Sequence, residues 1–466
     1  MLEDIKNYSF RRAFIRGEFF SISWESLERL ASAINVFLML KFLNLYEFGV
    51  YQLLLSFFSI VSVFSIDSIH EVVNNDLSRS LKEKQLETHK KIFSEYLSLR
   101  IILGLITTLV VFIFADIISV HYGQSIEAYL KIISILFLVE GLRRPLFAAL
   151  KTRLYFGVAS SQAAIVSATK FLIFLLLLAT QNFNLFWIMT AHVSGYIVSG
   201  AIMLIFFLVK IKDSFTAAVF AQGSVLWSIV KRHGKWAIAG EQISRFTLNV
   251  SPWLIKFLLN TEAVAVFSLA TSLAGMLTSF LPVRTFSSLI PRELGDKQRL
   301  RLIYANGVKF IGLLGLLLAG AAFLIFPPII NFFLPRYTAS FPYFKLLVFV
   351  FLTITGFTTL TRTTLVALRE QRALFTRPLL QLLPTVAFSF ILIPPFGLWG
   401  AALEYTLTLF FLYYILYRYL CRVRPELKLK PAEIFSLRQS DRQFLKDNLN
   451  PIFFELKNKV KKRLRL

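Results

Sequence analysis

The sequence predicts an all-α polytopic membrane protein with about twelve transmembrane helices, in two six-helix lobes related by a pseudo-twofold axis along the membrane normal. Three observations predict this class: long apolar segments, basic residues that alternate between the ends of those segments, and a weak internal repeat. The 466-residue chain is 56% hydrophobic. A helix of about 20 apolar residues crosses a hydrocarbon core of about 30 Å, so each segment is long enough to span a bilayer. The predicted spans are 17–43, 46–73, 95–119, 126–150, 157–181, 184–209, 232–258, 262–288, 301–326, 340–367, 374–395 and 397–420.

Lysine and arginine are concentrated at alternate ends of these segments. The basic ends include Arg79, Lys151, Lys212 and Arg299, whereas the connections near 44, 121, 182, 260, 335 and 396 carry almost no basic residue. Basic loops stay in the cytoplasm. The pattern therefore predicts both termini on the cytoplasmic side and an even number of crossings.

The formal net charge of +24 is explained by this topology. Most of the basic residues lie in predicted cytoplasmic loops and in the tail, where they face anionic membrane lipids, so a nucleic-acid partner is not expected. Residues 451–466 combine apolar and basic positions at helical spacing, which predicts an amphipathic helix on the inner membrane surface. A single cysteine, Cys421, excludes an internal disulfide, and the histidines His70, His121 and His192 show no metal-ligand spacing. No metal or other cofactor is predicted.

A weak repeat with a period of about 216 residues divides the chain in two. Lys41-Phe42-Leu43-Asn44 returns as Lys256-Phe257-Leu258-Leu259-Asn260, and Arg144 returns as Arg362, each followed by an apolar run that ends in a basic residue. Six crossings in each copy make the repeats parallel, which is an architecture of transporters. The predicted domains are an N-terminal lobe 1–209, a cytoplasmic linker 210–231, a C-terminal lobe 232–421 and a basic tail 422–466.

Charged residues inside the spans indicate a polar cleft, because a charge at the centre of a spanning helix costs about 2.5–3.5 kcal/mol unless it faces water or a partner. Ordered by depth from the cytoplasm, the basic ones form a ladder that suits an anionic ligand, and guanidinium groups suit phosphate oxygens. The candidate substrate-binding residues are Arg29, Arg245, Lys170, Arg144, Arg362, Lys41, Lys256 and Arg284. The candidate ion-coupling residues are the carboxylates Glu25, Glu28, Asp67 and Glu241.

Structural roles compete with these assignments. Glu25 with Arg29, and Glu241 with Arg245, are i,i+4 pairs that would neutralise each other on one helix. Lys41, Lys256 and Arg284 lie near span ends, where extension toward headgroups is favoured over cleft lining. For Arg143 and Arg144, a role as ordinary charges of a cytoplasmic loop stays open. Lys170 has no local partner in its own helix, so cavity lining is favoured there.

Loose motifs over nearly the whole chain resemble those of a known superfamily. They are the turn Phe42–Tyr51, its second-half counterpart Asn260–Phe267, Ile290-Pro291, and Phe396–Ala402. The chain resembles the multidrug/oligosaccharidyl-lipid/polysaccharide exporter superfamily, and within it the polysaccharide (O-antigen, Wzx-type) flippases. The resemblance implies a MATE-like fold, a location in the cytoplasmic (inner) membrane, and a cationic cavity that carries polyprenyl-diphosphate-linked glycan for lipopolysaccharide and other surface polysaccharides. Glycan polymerase machinery is the candidate protein partner.

The expected function is therefore a flippase rather than an enzyme. A cation-coupled multidrug antiporter of the same fold is the first alternative, and it would require carboxylates to dominate the cavity. A membrane glycan polymerase or ligase is the second alternative. The predicted outer loops are at most about a dozen residues long, which leaves little room for an outward-facing catalytic site.

Overall fold

The computed structural model describes residues 23–66, 69–83, 85–123, 125–212, 225–229, 231, 235–368 and 370–429. The described residues are almost entirely helical and contain no β-strand. The predicted tail helix at 451–466 and most of the predicted linker lie outside the described residues.

The helices of the first half follow the predicted spans closely. They are α1 (23–42), α2 (Leu45–Val61), α3 (Ile69–Lys82), α4 (Leu86–Tyr122), α5 (Glu127–Thr152), α6 (Phe156–Ala179) and α7 (Leu185–Lys210). Helix α4 begins nine residues before the predicted span 95–119, because helical structure continues into a polar end that an apolar pattern does not mark. The predicted span 46–73 is interrupted by a turn at 62–66.

The second half has a closely similar order of helices. They are α8 (Val225–Ile229), α9 (Lys235–Leu258), α10 (Thr261–Thr278), α11 (Val283–Leu289), α12 (Lys297–Phe333), α13 (Phe341–Val350), α14 (Gly356–Ala367), α15 (Gln371–Phe396) and α16 (Leu398–Val423). Short α8 belongs to the linker. A π-helical turn, Phe351–Thr355, joins α13 to α14 within one predicted span.

Equivalent helices of the two halves share lengths, breaks and caps. Helices α4 and α12 both have 37 residues, and α7 and α16 both have 26. The second span of each half is broken, between α2 and α3 and between α10 and α11. The Asn44 side chain accepts a hydrogen bond from the Glu47 amide at 2.8 Å, and the Asn260 side chain accepts one from the Ala263 amide at 2.7 Å. Asparagine therefore caps the start of α2 and of α10, at the two positions that the sequence repeat aligns.

Eight helices among the described residues are long and apolar enough to cross a membrane. The predicted spans that do not meet this criterion are 17–43, 46–73, 126–150 and 232–258. Spans 126–150 and 232–258 carry charged side chains within the helix, whereas α2 in span 46–73 is apolar but has only 17 residues. The all-α polytopic class predicted from the sequence is confirmed.

Close packing divides the chain into two compact units that do not coincide with the halves of the sequence repeat. The first unit comprises Met1–Ala270, Phe326–Tyr343 and Phe375–Tyr405, and the second comprises Thr271–Ile325, Phe344–Leu374 and Thr406–Leu466. Within the first unit, α4 packs on α5, α7 packs on α5 and α6, and α2 packs on α9. Within the second unit, α11 packs on α14, and the Tyr304 hydroxyl lies 2.9 Å from that of Thr361. The predicted lobe boundaries stay a prediction.

A glycine in α2 permits close approach to the start of α10. A Cβ atom on Gly49 would overlap the backbone carbonyl oxygen of Thr261. The Thr261 residue is held at this place by a 3.0 Å hydrogen bond between its side-chain hydroxyl and the Tyr122 hydroxyl.

We expect Gly49→Ala to lower the thermal unfolding midpoint of the detergent-purified protein, because the backbone must move to admit the methyl group. Gly320→Ala is the matched control. Its added Cβ meets no atom within 4 Å, so its midpoint should stay the same or rise. Equal midpoints for Gly49→Ala and wild type would contradict the close approach.

Candidate substrate-binding site

A polar cleft lies in the first unit among α2, α4, α5, α7 and α9. Its empty space is about 560 Å³, part of which is open to solvent. The lining residues are Phe58, Ser59, Ser62, Ser65, Arg100, Phe137, Glu140, Arg143, Arg144, Tyr196 and Arg245. Four of these side chains are guanidinium groups and one is a carboxylate. The cleft is therefore strongly cationic.

Glu140 organises the wall that α5 contributes. Residues three and four positions apart lie on one face of a helix, so Arg143 and Arg144 both reach back to this carboxylate. The Arg143 Nε donates to Oε1 at 2.7 Å, and the Arg144 Nε donates to Oε2 at 2.8 Å. Arg143 also donates to the Gln162 side-chain oxygen at 2.6 Å, and its guanidinium lies 4.8 Å from the centre of the Tyr196 ring. Both carboxylate oxygens are thus occupied, and the cluster retains net positive charge.

Arg100 is placed by the turn that follows α2. Its side chain is 1% exposed, and its guanidinium donates to the backbone carbonyl of Ser65. The Ser65 hydroxyl lies 3.5 Å from that of Thr107, about two turns further along α4. This contact joins the break after α2 to the cleft wall on α4. The interruption of the predicted span 46–73 therefore has a structural role, because it supplies a carbonyl acceptor for a buried cation.

Arg245 enters the cleft from α9, which hydrogen bonds attach to α2. The Gln242 side chain donates to the carbonyl oxygen of Val63 at 2.7 Å, and the Ser56 hydroxyl donates to the carbonyl oxygen of Asn249. The two bonds lie on either side of Arg245 along α9. They set the position of this helix beside the break after α2, and they bring an arginine of the second sequence half into a cleft built by the first.

Of the predicted substrate-binding residues, the cleft contains Arg144 and Arg245. Arg29 lies on α1, where it is exposed and pairs with Glu25 at 3.5 Å. Lys41, at the end of α1, is exposed beside the Phe42 ring, 5.7 Å from its centre. Neither Arg29 nor Lys41 lines the cleft.

The remaining predicted cations lie elsewhere. Lys170 donates to the Tyr51 hydroxyl at 3.3 Å, and Lys256 donates to the backbone carbonyl of Tyr122 at 3.0 Å while its ammonium lies 4.2 Å from the centre of that ring. Arg362 is exposed on α14, and Arg284 belongs to α11 with its side chain outside the described residues. Both of these arginines belong to the second unit, so their predicted place in the ladder stays a prediction.

Of the predicted ion-coupling carboxylates, the two whose side chains the structure describes, Glu25 and Glu28, do not line the cleft. Both residues lie on α1, and the Glu25 carboxylate forms an ion pair with Arg29 at 3.5 Å. Asp67 and the side chain of Glu241 lie outside the described residues. The described residues hold no group of three or more His, Cys, Asp or Glu side chains that fits a metal ion.

Sequence reasoning assigned no binding role to Arg100, Glu140 or Arg143, which line the cleft. Glu140 is recognisable in retrospect as a carboxylate inside a span followed by arginines at i+3 and i+4. Arg100 gives a weaker signal, because it lies near the inner end of an apolar span where a loop charge is expected. Its burial depends on the turn after α2, which belongs to another part of the chain.

Comparison with known proteins places this fold and site in context. A family model described as "Polysaccharide biosynthesis protein" matches residues 14–293, more than half of the chain. No curated protein matches the chain.

Solved structures of transporters share the fold. An inward-facing multidrug resistance MATE family transporter of the MOP superfamily has a TM-score of 0.71 at 14% identity, covering 87% of this chain and 98% of that one. An outward-facing transporter of that description has a TM-score of 0.64 at 14% identity, with 89% and 96% covered. A MOP superfamily transporter from Pyrococcus furiosus Vc1, for which reverse polarity of the binding pocket suggests a different function, has a TM-score of 0.63 at 15% identity, with 90% and 96% covered. The chain is therefore a multi-pass membrane protein with the fold of MOP superfamily transporters, and it belongs to the polysaccharide biosynthesis protein family.

Proposed function

We propose that the protein is a flippase that moves polyprenyl-diphosphate-linked oligosaccharide across the cytoplasmic membrane by alternating access. The observation that carries the proposal is the surplus of guanidinium groups in a cleft inside the membrane-spanning part of the chain. A diphosphate offers several anionic oxygens, and arginine binds such oxygens through two parallel N–H donors. The polyprenyl chain would stay in the lipid, while the sugars follow the diphosphate through the polar space.

Arg144 and Arg245 are the residues that we assign to the diphosphate. They come from different sequence halves and line one cleft, so relative movement of the halves would change the distance between their guanidinium groups. Arg29, Arg362 and Arg284 remain candidates for other points of the path, and Lys41 and Lys256 for the outer end. The alternation of basic loops predicts cytoplasmic termini, and we propose that the polyprenyl-linked cargo enters the cleft from the inner leaflet.

A cation-coupled multidrug antiporter is the competing function on this fold. That function needs a carboxylate free to bind a cationic drug, a proton or a sodium ion. Among the described residues that line the cleft, Glu140 is the carboxylate, and both of its oxygens accept hydrogen bonds from arginine. The polarity of the cleft therefore favours an anionic cargo. The Pyrococcus furiosus transporter offers an analogy, since reversed pocket polarity was there linked to a different function within the same superfamily.

A glycan polymerase or ligase would bind a similar lipid diphosphate. It would also need a catalytic group that faces the outer surface, and the predicted outer connections are short. The family and the fold are those of transporters, which favours translocation without chemistry. We also propose that the protein works with glycan polymerase machinery in O-antigen or lipopolysaccharide synthesis.

Native mass spectrometry of the protein, purified in mild detergent, tests the function directly. We expect a bound mass that fragments to a polyprenyl diphosphate, and retention of an added undecaprenyl diphosphate in preference to the corresponding monophosphate. Arg79→Ala, which removes an exposed arginine outside the cleft, should bind as the wild type does. Retention of cationic drugs together with no retention of diphosphate lipids would refute the flippase and favour the antiporter.

A further inference from the structure

A line of three titratable side chains crosses the first unit beside the cleft. The Lys170 ammonium on α6 donates to the Tyr51 hydroxyl on α2 at 3.3 Å, and this hydroxyl lies 3.2 Å from Nδ1 of His192 on α7. Tyr51 is 2% exposed and His192 is 8% exposed. All three belong to predicted membrane spans, where ionisable side chains in contact mark ion pathways and proton relays.

The geometry allows one excess proton to be shared. The phenol oxygen accepts from Lys170 and lies within hydrogen-bond distance of Nδ1 of His192, so with Nδ1 unprotonated the tyrosine links a donor to an acceptor. Two positive charges on either side of one hydroxyl group would repel each other strongly in a medium of low polarity. The network therefore holds its charge on Lys170 or on His192, and not on both.

The cleft and this network are separated by one aromatic ring. The centre of the Tyr196 ring is 5.3 Å from that of His192, and the Arg143 guanidinium lies 4.8 Å from the same Tyr196 ring centre. Arg143 is bound to Glu140, which lines the cleft. An anion in the cleft would thus lower the free energy of a positive charge on the network.

The other groups around the network contribute few competing charges. Helix α7 presents Tyr196, and behind it α5 presents Glu140 with its two arginines. Helix α1 contributes the neutral Asn35, whose side chain donates to the Ser167 carbonyl at 2.8 Å, one turn before Lys170. Helix α2 adds the Phe48 ring against Tyr51. Glu140 is paired with both of these arginines, so we assign proton binding in this region to the network.

We propose that Lys170, Tyr51 and His192 form the proton-binding site that couples transport to proton uptake and release. In the transfer step, the Lys170 ammonium gives a proton to the Tyr51 oxygen while the phenol gives its own proton to Nδ1 of His192. Lysine becomes neutral, tyrosine is unchanged, and histidine becomes imidazolium. The proton comes from water on one side of the membrane and returns to water on the other. This inference rests on the proposed function for the identity of the cargo but not for the existence of the proton site.

The test follows conformation against pH without any cargo. On a Cys421→Ser background, spin labels at the exposed positions Asn182 and Ala339 report distances between predicted outer connections of the two sequence halves. Between about pH 5 and pH 10, the range in which histidine and lysine side chains lose a proton, the distance distribution of the otherwise unchanged protein should shift between two populations. Tyr51→Phe, which removes one oxygen atom, and Lys170→Met should lose most of that shift while keeping the thermal unfolding midpoint.

Tyr304→Phe is the matched control, since it also removes a buried, hydrogen-bonded hydroxyl, from a span outside the network. It should retain the full shift. A distribution that does not depend on pH, or an undiminished shift in both Tyr51→Phe and Lys170→Met, would overturn the proton site. Failure of the flippase proposal appears separately, as loss of diphosphate retention in native mass spectrometry with the pH-dependent shift intact.

Discussion

Arg245→Ala should weaken binding of a polyprenyl diphosphate by about 10- to 100-fold, because a hydrogen bond to a charged group contributes about 1.5–3 kcal/mol. Arg245 lines the cleft from α9. Arg144→Ala combined with Arg245→Ala should lower binding further and abolish flipping of lipid-linked oligosaccharide in reconstituted vesicles. The measurement is the dissociation constant in detergent, followed by the rate of cargo translocation.

A conservative variant and a distant variant show whether a loss of binding comes from the missing charge or from damage to the fold. Arg245→Lys keeps the positive charge and loses the two parallel donors, so it should retain partial binding. Arg79→Ala removes an arginine whose side chain is 71% exposed and paired with Glu83, and it should leave both binding and translocation unchanged. Wild-type diphosphate affinity in Arg245→Ala, at normal levels of folded protein, would remove this arginine from the binding site.

Glu140→Ala should destabilise the protein by about 3–5 kcal/mol, because it leaves buried guanidinium charge without its partner. Arg143 is 8% exposed and Glu140 is 7% exposed, so water compensates for little of the loss. Chemical or thermal unfolding in detergent, followed by tryptophan fluorescence, measures the effect. Glu83→Ala is the matched control, because its arginine partner is exposed and an exposed pair contributes about 0–1 kcal/mol.

Glu140→Gln discriminates between the two transport functions. The amide keeps the shape and one acceptor oxygen, so the variant should fold better than Glu140→Ala, and the cleft becomes more cationic. A flippase with this substitution should bind diphosphate lipid at least as tightly as the wild type. An antiporter that relies on this carboxylate would instead lose drug binding, and loss of diphosphate binding in folded Glu140→Gln would contradict our assignment of the cleft.

The membrane class and the helices follow from local patterns. Apolar length and the alternation of basic ends depend only on neighbours along the chain, and each of the twelve predicted segments contains helix in the structure. The family resemblance could also be recognised from the sequence motifs at 42–51 and 396–402. The match to the polysaccharide biosynthesis family confirms it. The caps at Asn44 and Asn260 show the same point, since capping involves residues three positions apart.

The candidate site was only partly accessible from the sequence. Helical spacing shows which side chains share a face of one helix. It does not show which helix that face meets. Arg144 and Arg245 line one cleft, whereas Arg29 and Lys41 lie exposed on α1 and Lys256 contacts Tyr122.

The sequence by itself determined an all-helical membrane protein of this family, because apolar length, basic loops and capping motifs act over a few residues. Tertiary structure alone decided the composition of the cleft. Burial of Arg100 requires the carbonyl of Ser65 in the turn after α2, and Arg143 on α5 contacts Gln162 on α6 and Tyr196 on α7. A buried charge is stable only where partners surround it, and these partners are distant in sequence from the arginines that they contact.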